Sequence, residues 1–332
     1  MANQGAVGLV GVVGQRTAWL LLAAVVFFWG VNWPVMKYGL HYVPPLTFAA
    51  LRLIMGAIVL AIIAAWRHEL RFPHRQDWPL VLGVGLLQMA AFMGLVNISL
   101  QYVPAGRSAI LAYTTPLWVV PLAVLWLGES LTALRMVGLV LGLAGVAVLF
   151  NPLAFDWHDP NTVLGNGLLL FAALLWAILI VKVRGHQWKG SPLSLMPWQL
   201  TVAACALIPF VFWLEDVRTI QWGGPLGWVL LYNGPIATAF CFWAMISVTR
   251  ALPAITTSLS LLCVPAVGYA AASVVLGEAV TLTNSLGFAL ILGGLIFATI
   301  SDWKKSQEAK NALANAAMTT ATAETGSGGM KK

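Results

Sequence analysis

The sequence predicts an all-α membrane protein in which ten transmembrane helices form two inverted five-helix repeats. Three observations support this fold class. First, 60% of the 332 residues are hydrophobic and only 9% are charged, whereas soluble domains carry about 25% charged residues. Second, apolar stretches long enough to cross a bilayer follow one another along the chain. Third, one stretch of the sequence occurs twice.

The duplicated stretch begins at Pro104 and again at Pro253, a shift of 149 positions. Each copy contains an apolar run with a central proline, the tripeptide Leu-Gly-Glu and a second apolar run with glycines. The copies align without a gap, and the identical pairs include Ala105/Ala254, Pro116/Pro265, Gly128/Gly277, Glu129/Glu278, Thr132/Thr281, Gly138/Gly287 and Gly145/Gly294. A fixed-period repeat indicates a duplicated structural unit.

The predicted spans follow from the requirement of roughly 20 apolar residues per bilayer crossing. They are 17–37, 44–66, 79–101, 105–127, 133–150, 163–183, 192–214, 226–250, 254–277 and 283–300. This divides the chain into a disordered N-terminus (1–16), a first five-helix repeat (17–150), a linker (151–162), a second five-helix repeat (163–301) and a disordered cytoplasmic tail (302–332). An odd number of spans per repeat turns the second repeat upside down relative to the first.

Basic residues near the span ends predict the orientation, because positively charged loops stay in the cytoplasm. With the N-terminus inside, Lys37, Arg107 and Arg218 lie outside and Arg52 lies within a span. The other 14 of the 18 Lys and Arg residues are then cytoplasmic. We therefore expect both termini in the cytoplasm.

The paired prolines Pro116 and Pro265 fall near the middle of their spans. A proline inside a helix removes a backbone hydrogen bond and kinks the helix, and a freed carbonyl at bilayer depth must face protein or water. The pair therefore predicts one bent helix per repeat beside a central cavity, although proline is in any case commoner in membrane helices than in soluble ones.

Polar and aromatic side chains at membrane depth form the candidate substrate site. Amide groups that faced lipid would remain unsatisfied, so they are expected to point inward. For a single Ser or Thr, hydrogen bonding between helices is the better explanation. As a set, the residues predict a weakly polar pocket for an organic solute: Trp29, Asn32, Gln88, Phe92, Tyr113, Thr114, Trp176, Tyr232, Trp243 and Ser258.

Charged residues are nearly absent from the spans. Arg52 could meet a substrate carboxylate or a helix carbonyl, and the sequence leaves both roles open, with a slight preference for the structural one. Glu129 and Glu278 follow spans 4 and 9 and are expected to cap helices. The glycines of spans 5 and 10 predict close helix packing or a dimer contact, so monomer and homodimer both stay open.

The ten spans, the inverted halves, the Trp29-Gly30 opening of span 1 and the doubled Leu-Gly-Glu signature resemble the drug/metabolite transporter superfamily, EamA-type branch. The likeness covers residues 17–300. Within it, the length and the Trp-rich spans are similar to YddG-type exporters of aromatic amino acids and methyl viologen. The resemblance implies a cavity lined by spans 1, 3, 4, 6, 8 and 9, peripheral spans 5 and 10, and alternating access. One departure is Trp176-Ala177, where the first half has Trp29-Gly30.

The expected function is export of small organic solutes, namely amino acids including aromatic ones, with cationic drugs as a further class, across a bacterial inner membrane. No catalytic residues, cofactor or metal are expected, since the chain lacks GxxxxGK[ST], HExxH and GxSxG motifs. The expected partners are the substrate and the lipid bilayer, with no nucleic acid. The alternatives are a membrane-embedded receptor or enzyme on a carrier scaffold, and a drug or nucleotide-sugar carrier of the same superfamily.

Overall fold

The computed structural model describes residues 14–128, 132–150, 158–183, 189–252 and 260–327. In these ranges the secondary structure is helical and contains no strand. The helices are α1 (Gln15–Gly39), α2 (Pro45–Trp66), α3 (Trp78–Tyr102), α4 (Ala105–Leu127), α5 (Ala133–Phe150), α6 (Pro160–Val183), α7 (Pro192–Leu214), α8 (224–251), α9 (Cys263–Leu276) and α10 (Leu282–Ser327), with a 3₁₀ turn at Val217–Thr219.

Eight of the described helices are long and apolar enough to cross a membrane, and α5 and α9 contribute shorter apolar helices. Large apolar side chains cover the outside of the bundle; Leu125 is 75% exposed and Val274 is 85% exposed. An apolar exterior of this kind would be unstable in water but suits contact with lipid. The chain is therefore a multi-pass membrane protein.

The glycine of the repeated Leu-Gly-Glu tripeptide has the same structural role in both halves. Gly128 ends α4 and Gly277 ends α9, and both adopt the left-handed conformation, with φ values of 64° and 66°. Glycine is favoured at this position because a Cβ would be strained there. In both halves, the backbone N–H of this glycine bonds to a carbonyl of the last helical turn.

Repeat-equivalent helices contact each other in antiparallel pairs. A Cβ added at Gly145 of α5 would lie 2.7 Å from the backbone oxygen of Gly287 in α10. Reciprocally, a Cβ added at Gly294 would lie 2.5 Å from the oxygen of Gly138. Since Gly138 aligns with Gly287 and Gly145 with Gly294 in the repeat, this contact has approximate two-fold symmetry. The glycines are thus used for packing within the chain.

The helices α2 and α7 form the second antiparallel pair of equivalent helices, and a carboxylate joins them at each end. Glu215, just after α7, accepts hydrogen bonds of 2.7 Å from the N–H groups of Leu46 and Thr47 in the first turn of α2. At the opposite end, Glu69 accepts a 2.8 Å bond from the hydroxyl of Ser191, which caps α7. Both arrangements satisfy or anchor helix N-termini that would otherwise lack partners.

Two π-helical segments interrupt equivalent helices. They are Val84–Ala91 in α3 and Tyr232–Phe240 in α8, and the repeat shift of 149 positions brings them into register. Each segment packs against a helix of the other half, since Gly85 lies against Val202 of α7 and Gly234 against Met55 of α2. π-Helical segments are rare and are frequently found at functional sites.

The first and last described helices extend beyond the predicted spans. The first helix begins at Gln15, within the N-terminal segment expected to be disordered. The last helix continues to Ser327, although disorder was expected from residue 302 onward. Alanine has the highest intrinsic helix propensity, and the sequence after Lys310 is rich in alanine, which favours this helix.

Candidate functional site

A cavity of about 360 Å³ lies in the middle of the bundle. Six aromatic rings line it: Trp29, Trp33, Phe92, Tyr113, Trp176 and Phe242. Aliphatic and thioether side chains complete the apolar wall: Met36, Met93, Val96, Ala112, Pro116, Ile180, Leu261 and Leu262. Three further residues bring polar groups: Asn32, Arg52 and Thr115.

One stripe of α1 forms a wall of the cavity. Trp29, Asn32, Trp33 and Met36 follow the i, i+3, i+4, i+7 spacing of a helix face, and all four line the cavity. The indole N–H of Trp29 donates a 2.9 Å hydrogen bond to the carbonyl oxygen of Ala237, which belongs to the π-helical segment of α8. This bond leaves the indole ring itself free to face the cavity.

Aromatic pairs fix the orientation of the rings on both sides. The rings of Phe92 in α3 and Trp176 in α6 meet edge to face, with centroids 4.5 Å apart. The rings of Trp29 and Phe242 pack in the same manner at 5.7 Å. Edge-to-face pairs of this kind are stabilised by the ring quadrupoles, so the two walls present rigid apolar surfaces to a bound molecule.

The helix α4 is broken at the cavity. Its first segment ends at Ala112 and its second begins at Thr115. The hydroxyl of Thr114 donates a 2.7 Å hydrogen bond to the oxygen of Leu111, and that of Thr115 donates to the oxygen of Ala112 at 3.1 Å. The carbonyls freed by the break are therefore satisfied locally, and Tyr113 faces the cavity.

Each of the paired prolines lies in the first turn of a helical segment. Pro116 occupies the first turn of the second segment of α4, and Pro265 is the third residue of α9. N–H groups in the first turn of a helix have no intrahelical acceptor, so neither proline removes a helical hydrogen bond there. In α4 the expected kink at the proline is thus replaced by a helix that stops and restarts, whereas Pro265 lies at the start of the described helix α9.

Among the described residues that line the cavity, Arg52 of α2 is the only charged one. The side chain is 3% exposed. Its Nε donates a 2.8 Å hydrogen bond to the hydroxyl of Thr238, and its Nη1 lies 3.1 Å from the sulfur of Met36. Both partners are neutral, and no carboxylate of the described residues forms an ion pair with it.

Asn32 of α1 is 4% exposed. Its side-chain oxygen is buried without a hydrogen-bond partner among the described residues. A buried amide oxygen in this state costs free energy, and such groups are rare in native proteins. Asn32 lines the cavity, so a turn of its amide would bring this buried oxygen within reach of a donor group on a bound molecule.

The structure brings five of the ten residues predicted for the site to the cavity wall, and places four elsewhere. Those at the wall are Trp29, Asn32, Phe92, Tyr113 and Trp176. Gln88, Thr114, Tyr232 and Trp243 do not line it. Thr114 is buried in the break of α4, and the hydroxyl of Tyr232 donates a 2.7 Å bond to the oxygen of Phe28. Ser258 lies outside the described residues.

The π-helical segments explain why two of these predictions miss. A π-helix closes its hydrogen bonds over five residues instead of four, so it rotates the helix face that follows it. In α8 this brings Phe242 to the cavity, whereas its neighbour Trp243 packs into the apolar core. Gln88 lies within the equivalent segment of α3 and is half-buried away from the cavity.

Comparison with known proteins places the chain in a transport context. Residues 16–151 and 163–300 each match the EamA-like transporter family. The chain is 34% identical over 295 residues to the uncharacterized transporter YvbV of Bacillus subtilis, covering 89% of this chain and 94% of that protein. It is 29% identical to a probable amino-acid metabolite efflux pump of Escherichia coli, covering 88% and 98% of the two chains.

Two further similarities agree with this result. A probable terminal-alkyne amino-acid exporter of Streptantibioticus cattleyicolor is 26% identical, with coverage of 85% of this chain and 93% of that protein. A solved structure titled "Crystal structure of protein" superposes with a TM-score of 0.60 at 23% identity, covering 86% of this chain and 96% of that one; this likeness concerns the fold alone. The two matched segments cover both halves of the chain, which therefore belongs to the EamA-like transporter family.

Proposed function

We propose that this protein is a secondary transporter that exports amino acids, including aromatic ones, by alternating access through the central cavity. The observation that carries the proposal is the cavity itself, which lies in the middle of the bundle and has aromatic walls and a few polar groups. Its volume lies within the range of roughly 300–1,000 Å³ found for small-molecule sites. The names of the relatives from Escherichia coli and Streptantibioticus cattleyicolor favour amino acids as the substrate class.

The proposal includes ten membrane crossings in two inverted repeats, with both termini in the cytoplasm of a bacterium. The antiparallel contacts of α5 with α10 and of α2 with α7 support the inverted arrangement. In carriers built from inverted repeats, rocking of one half against the other exposes a central site to each side in turn. The carboxylate caps between the halves are contacts that such a motion would break and re-form.

Transport into vesicles tests this function directly. Purified protein is reconstituted into liposomes, and uptake of each of the protein amino acids is measured against protein-free liposomes. We expect uptake of aromatic and aliphatic amino acids above that control, and uptake without added nucleotide. The variant Trp213→Phe, whose side chain is 78% exposed on the outside of the bundle, should match the unchanged protein. Uptake no greater than in protein-free liposomes for every amino acid would rule the function out.

The direction of transport needs a second measurement. Inside-out membrane vesicles from cells that overproduce the protein accumulate a solute that the cell would export. We expect uptake into these vesicles and, in parallel, a lower steady-state content of the same amino acid in intact cells. Accumulation in intact cells instead would show an importer.

A further inference from the structure

We propose that Arg52 and Asn32 form a recognition pair for the charged end of a zwitterionic amino acid, with Arg52 binding the carboxylate and Asn32 the ammonium group. This inference rests on the proposed transport function and specifies how the cavity selects its substrate. It assigns the three kinds of group in the cavity to three parts of one ligand. The aromatic walls receive the side chain, and the two polar residues receive the two charges.

Arg52 carries a positive charge well inside a membrane-spanning helix. It lies seven residues after Pro45, the first residue of α2, which is roughly 10 Å along the helix axis. A charged residue at such depth is expensive and usually faces a partner or a water-filled site. The guanidinium has five N–H donors, and its observed partners, Thr238 and Met36, are neutral. A ligand carboxylate would neutralise the charge and use the remaining donors in a two-point contact.

Asn32 is the second polar residue of the pair. It precedes Met36 by one helical turn on the same face of α1, and Met36 contacts the guanidinium of Arg52. Asn32 thus lies one helical turn from the residue that Arg52 contacts, and Asn32 and Arg52 line the same cavity. The unpartnered oxygen of Asn32 is a hydrogen-bond acceptor, whereas Arg52 offers only donors. The pair therefore complements a ligand with adjacent acceptor and donor groups.

The rest of the cavity is lined mainly by apolar groups. Its other side-chain polar groups are the hydroxyls of Tyr113 and Thr115 and the indole N–H groups of the three lining tryptophans. The hydroxyl of Thr115 donates to the oxygen of Ala112. No carboxylate of the described residues lines the cavity, and the positive charge of Arg52 would repel a ligand with two positive charges. The arrangement favours a zwitterion with an apolar side chain over a dication.

The alternative role for Arg52 is purely structural. Its bond to the hydroxyl of Thr238 connects α2 to the π-helical segment of α8, and loss of that bond could loosen the bundle. The two roles differ in what they predict for ligands that lack one charged group. A structural residue affects all ligands equally, whereas a recognition residue affects only those that carry the group it binds.

The test compares one amino acid with two analogues. For phenylalanine these are phenylalaninamide, which keeps the ammonium group, and 3-phenylpropionate, which keeps the carboxylate. If another amino acid shows the largest flux, its own amide and deamino acid are used. Binding to purified protein in detergent is measured by calorimetry, and flux in proteoliposomes is measured in parallel. We expect the unchanged protein to bind the amino acid about tenfold more tightly than either analogue.

The variants separate the two charges. Arg52→Gln should weaken binding of the amino acid and of the deamino acid by about tenfold while leaving the amide within about twofold. Asn32→Ala should weaken binding of the amino acid and of the amide and leave binding of the deamino acid unchanged. Arg52→Lys, which keeps the positive charge but not the planar guanidinium group, should recover part of the affinity that Arg52→Gln loses. Thr238→Val, the matched control, removes the acceptor of Arg52 and should keep the preference for the carboxylate.

Several outcomes would overturn the inference. Equal losses for all three ligands in Arg52→Gln, matched by Thr238→Val, would show a structural role. If Arg52→Gln does not fold, the unchanged protein still tests the inference. Equal affinities for the amino acid, the amide and the deamino acid would exclude recognition of the two charged groups. In that case, flux of amino acids would leave the transport function intact. Absence of any flux would instead remove the proposed function together with the inference.

Discussion

The carboxylate of Glu278 accepts a 2.6 Å hydrogen bond from the backbone N–H of Ala105. Its second oxygen accepts a bond of 2.9 Å from the N–H of Gly106. The residue that follows α9 in the second half thus caps the first turn of α4 in the first half. Beside it, the ammonium group of Lys37 donates bonds of 2.6 and 2.8 Å to the carbonyls of Leu100 and Val103, at the end of α3. At this end of the bundle, Glu278 thus connects the two halves, and Lys37 connects α1 to α3 within the first half.

The first prediction concerns this cap. Glu278→Ala leaves two N–H groups without acceptors and removes a negative charge from a helix N-terminus, where it is favourable. We expect a loss of about 1–3 kcal/mol in the free energy of unfolding. Reversible unfolding in mixed detergent micelles measures it. Glu308→Ala, an exposed glutamate of α10, should leave the unfolding free energy unchanged, and an equal loss in both variants would contradict the role of the cap.

The second prediction uses two adjacent glycines of α10. A methyl group at Gly294 would meet the backbone of Gly138 and Gly142, whereas a methyl group at Gly293 has open space within 4 Å. Backbone atoms cannot move aside as a flexible side chain can. Gly294→Ala should therefore destabilise the protein by about 1–3 kcal/mol.

Gly293→Ala is the matched control for this contact. It should be neutral or slightly stabilising, because alanine favours helices over glycine by about 1 kcal/mol. Thermal unfolding of the two purified variants gives the comparison. If both alanines were tolerated equally, the close packing of α5 against α10 would be wrong.

The third prediction distinguishes Phe242 from Trp243. Phe242 lines the cavity, and Trp243 packs into the core beside Phe240. Phe242→Leu removes the ring that meets Trp29 edge to face, so we expect the KM for an aromatic amino acid to rise by about three- to tenfold. Trp243→Phe should leave the KM unchanged while lowering the unfolding temperature. A rise of the KM in Trp243→Phe but not in Phe242→Leu would show that Trp243, rather than Phe242, lines the cavity.

The fourth prediction compares two hydrogen bonds to backbone carbonyls. Trp29 donates to Ala237 and Tyr232 donates to Phe28, each from a side chain to the opposite helix. Both Trp29→Phe and Tyr232→Phe should cost about 1 kcal/mol in stability, because each leaves a carbonyl without its partner. Only Trp29→Phe should also reduce the affinity for substrate, since Tyr232 does not line the cavity. Equal effects on affinity would place Tyr232 in the site.

The sequence allowed the helices to be located closely. The predicted span 133–150 coincides with Ala133–Phe150, and the span 192–214 coincides with Pro192–Leu214. Such agreement arises because a helix that crosses a bilayer must be apolar along its whole length and must end at polar or breaking residues. Prolines at the starts of α2 and α7 mark these boundaries in the sequence.

The face that each helix turns toward the cavity was harder to predict. In α1, which has no π-helical segment, the face of Trp29, Asn32, Trp33 and Met36 follows from regular helical spacing. In α8, the wide turns of Tyr232–Phe240 shift the face by about one residue, and Phe242 lies where Trp243 was expected. Arg52 was visible as a charge within a span, but its neighbours in α1 and α8 are far apart in the sequence.

The sequence by itself determined that this chain is a membrane-embedded helical protein with a duplicated unit, because apolar length and repeat period are one-dimensional properties. Only the tertiary structure decided which polar groups share the cavity and which are satisfied elsewhere. The hydroxyls of Thr114 and Tyr232 bond to nearby carbonyls, whereas the oxygen of Asn32 has no partner among the described residues and shares the cavity with Arg52. Hydrogen bonding depends on distances between helices, and those distances are set by packing of the whole bundle.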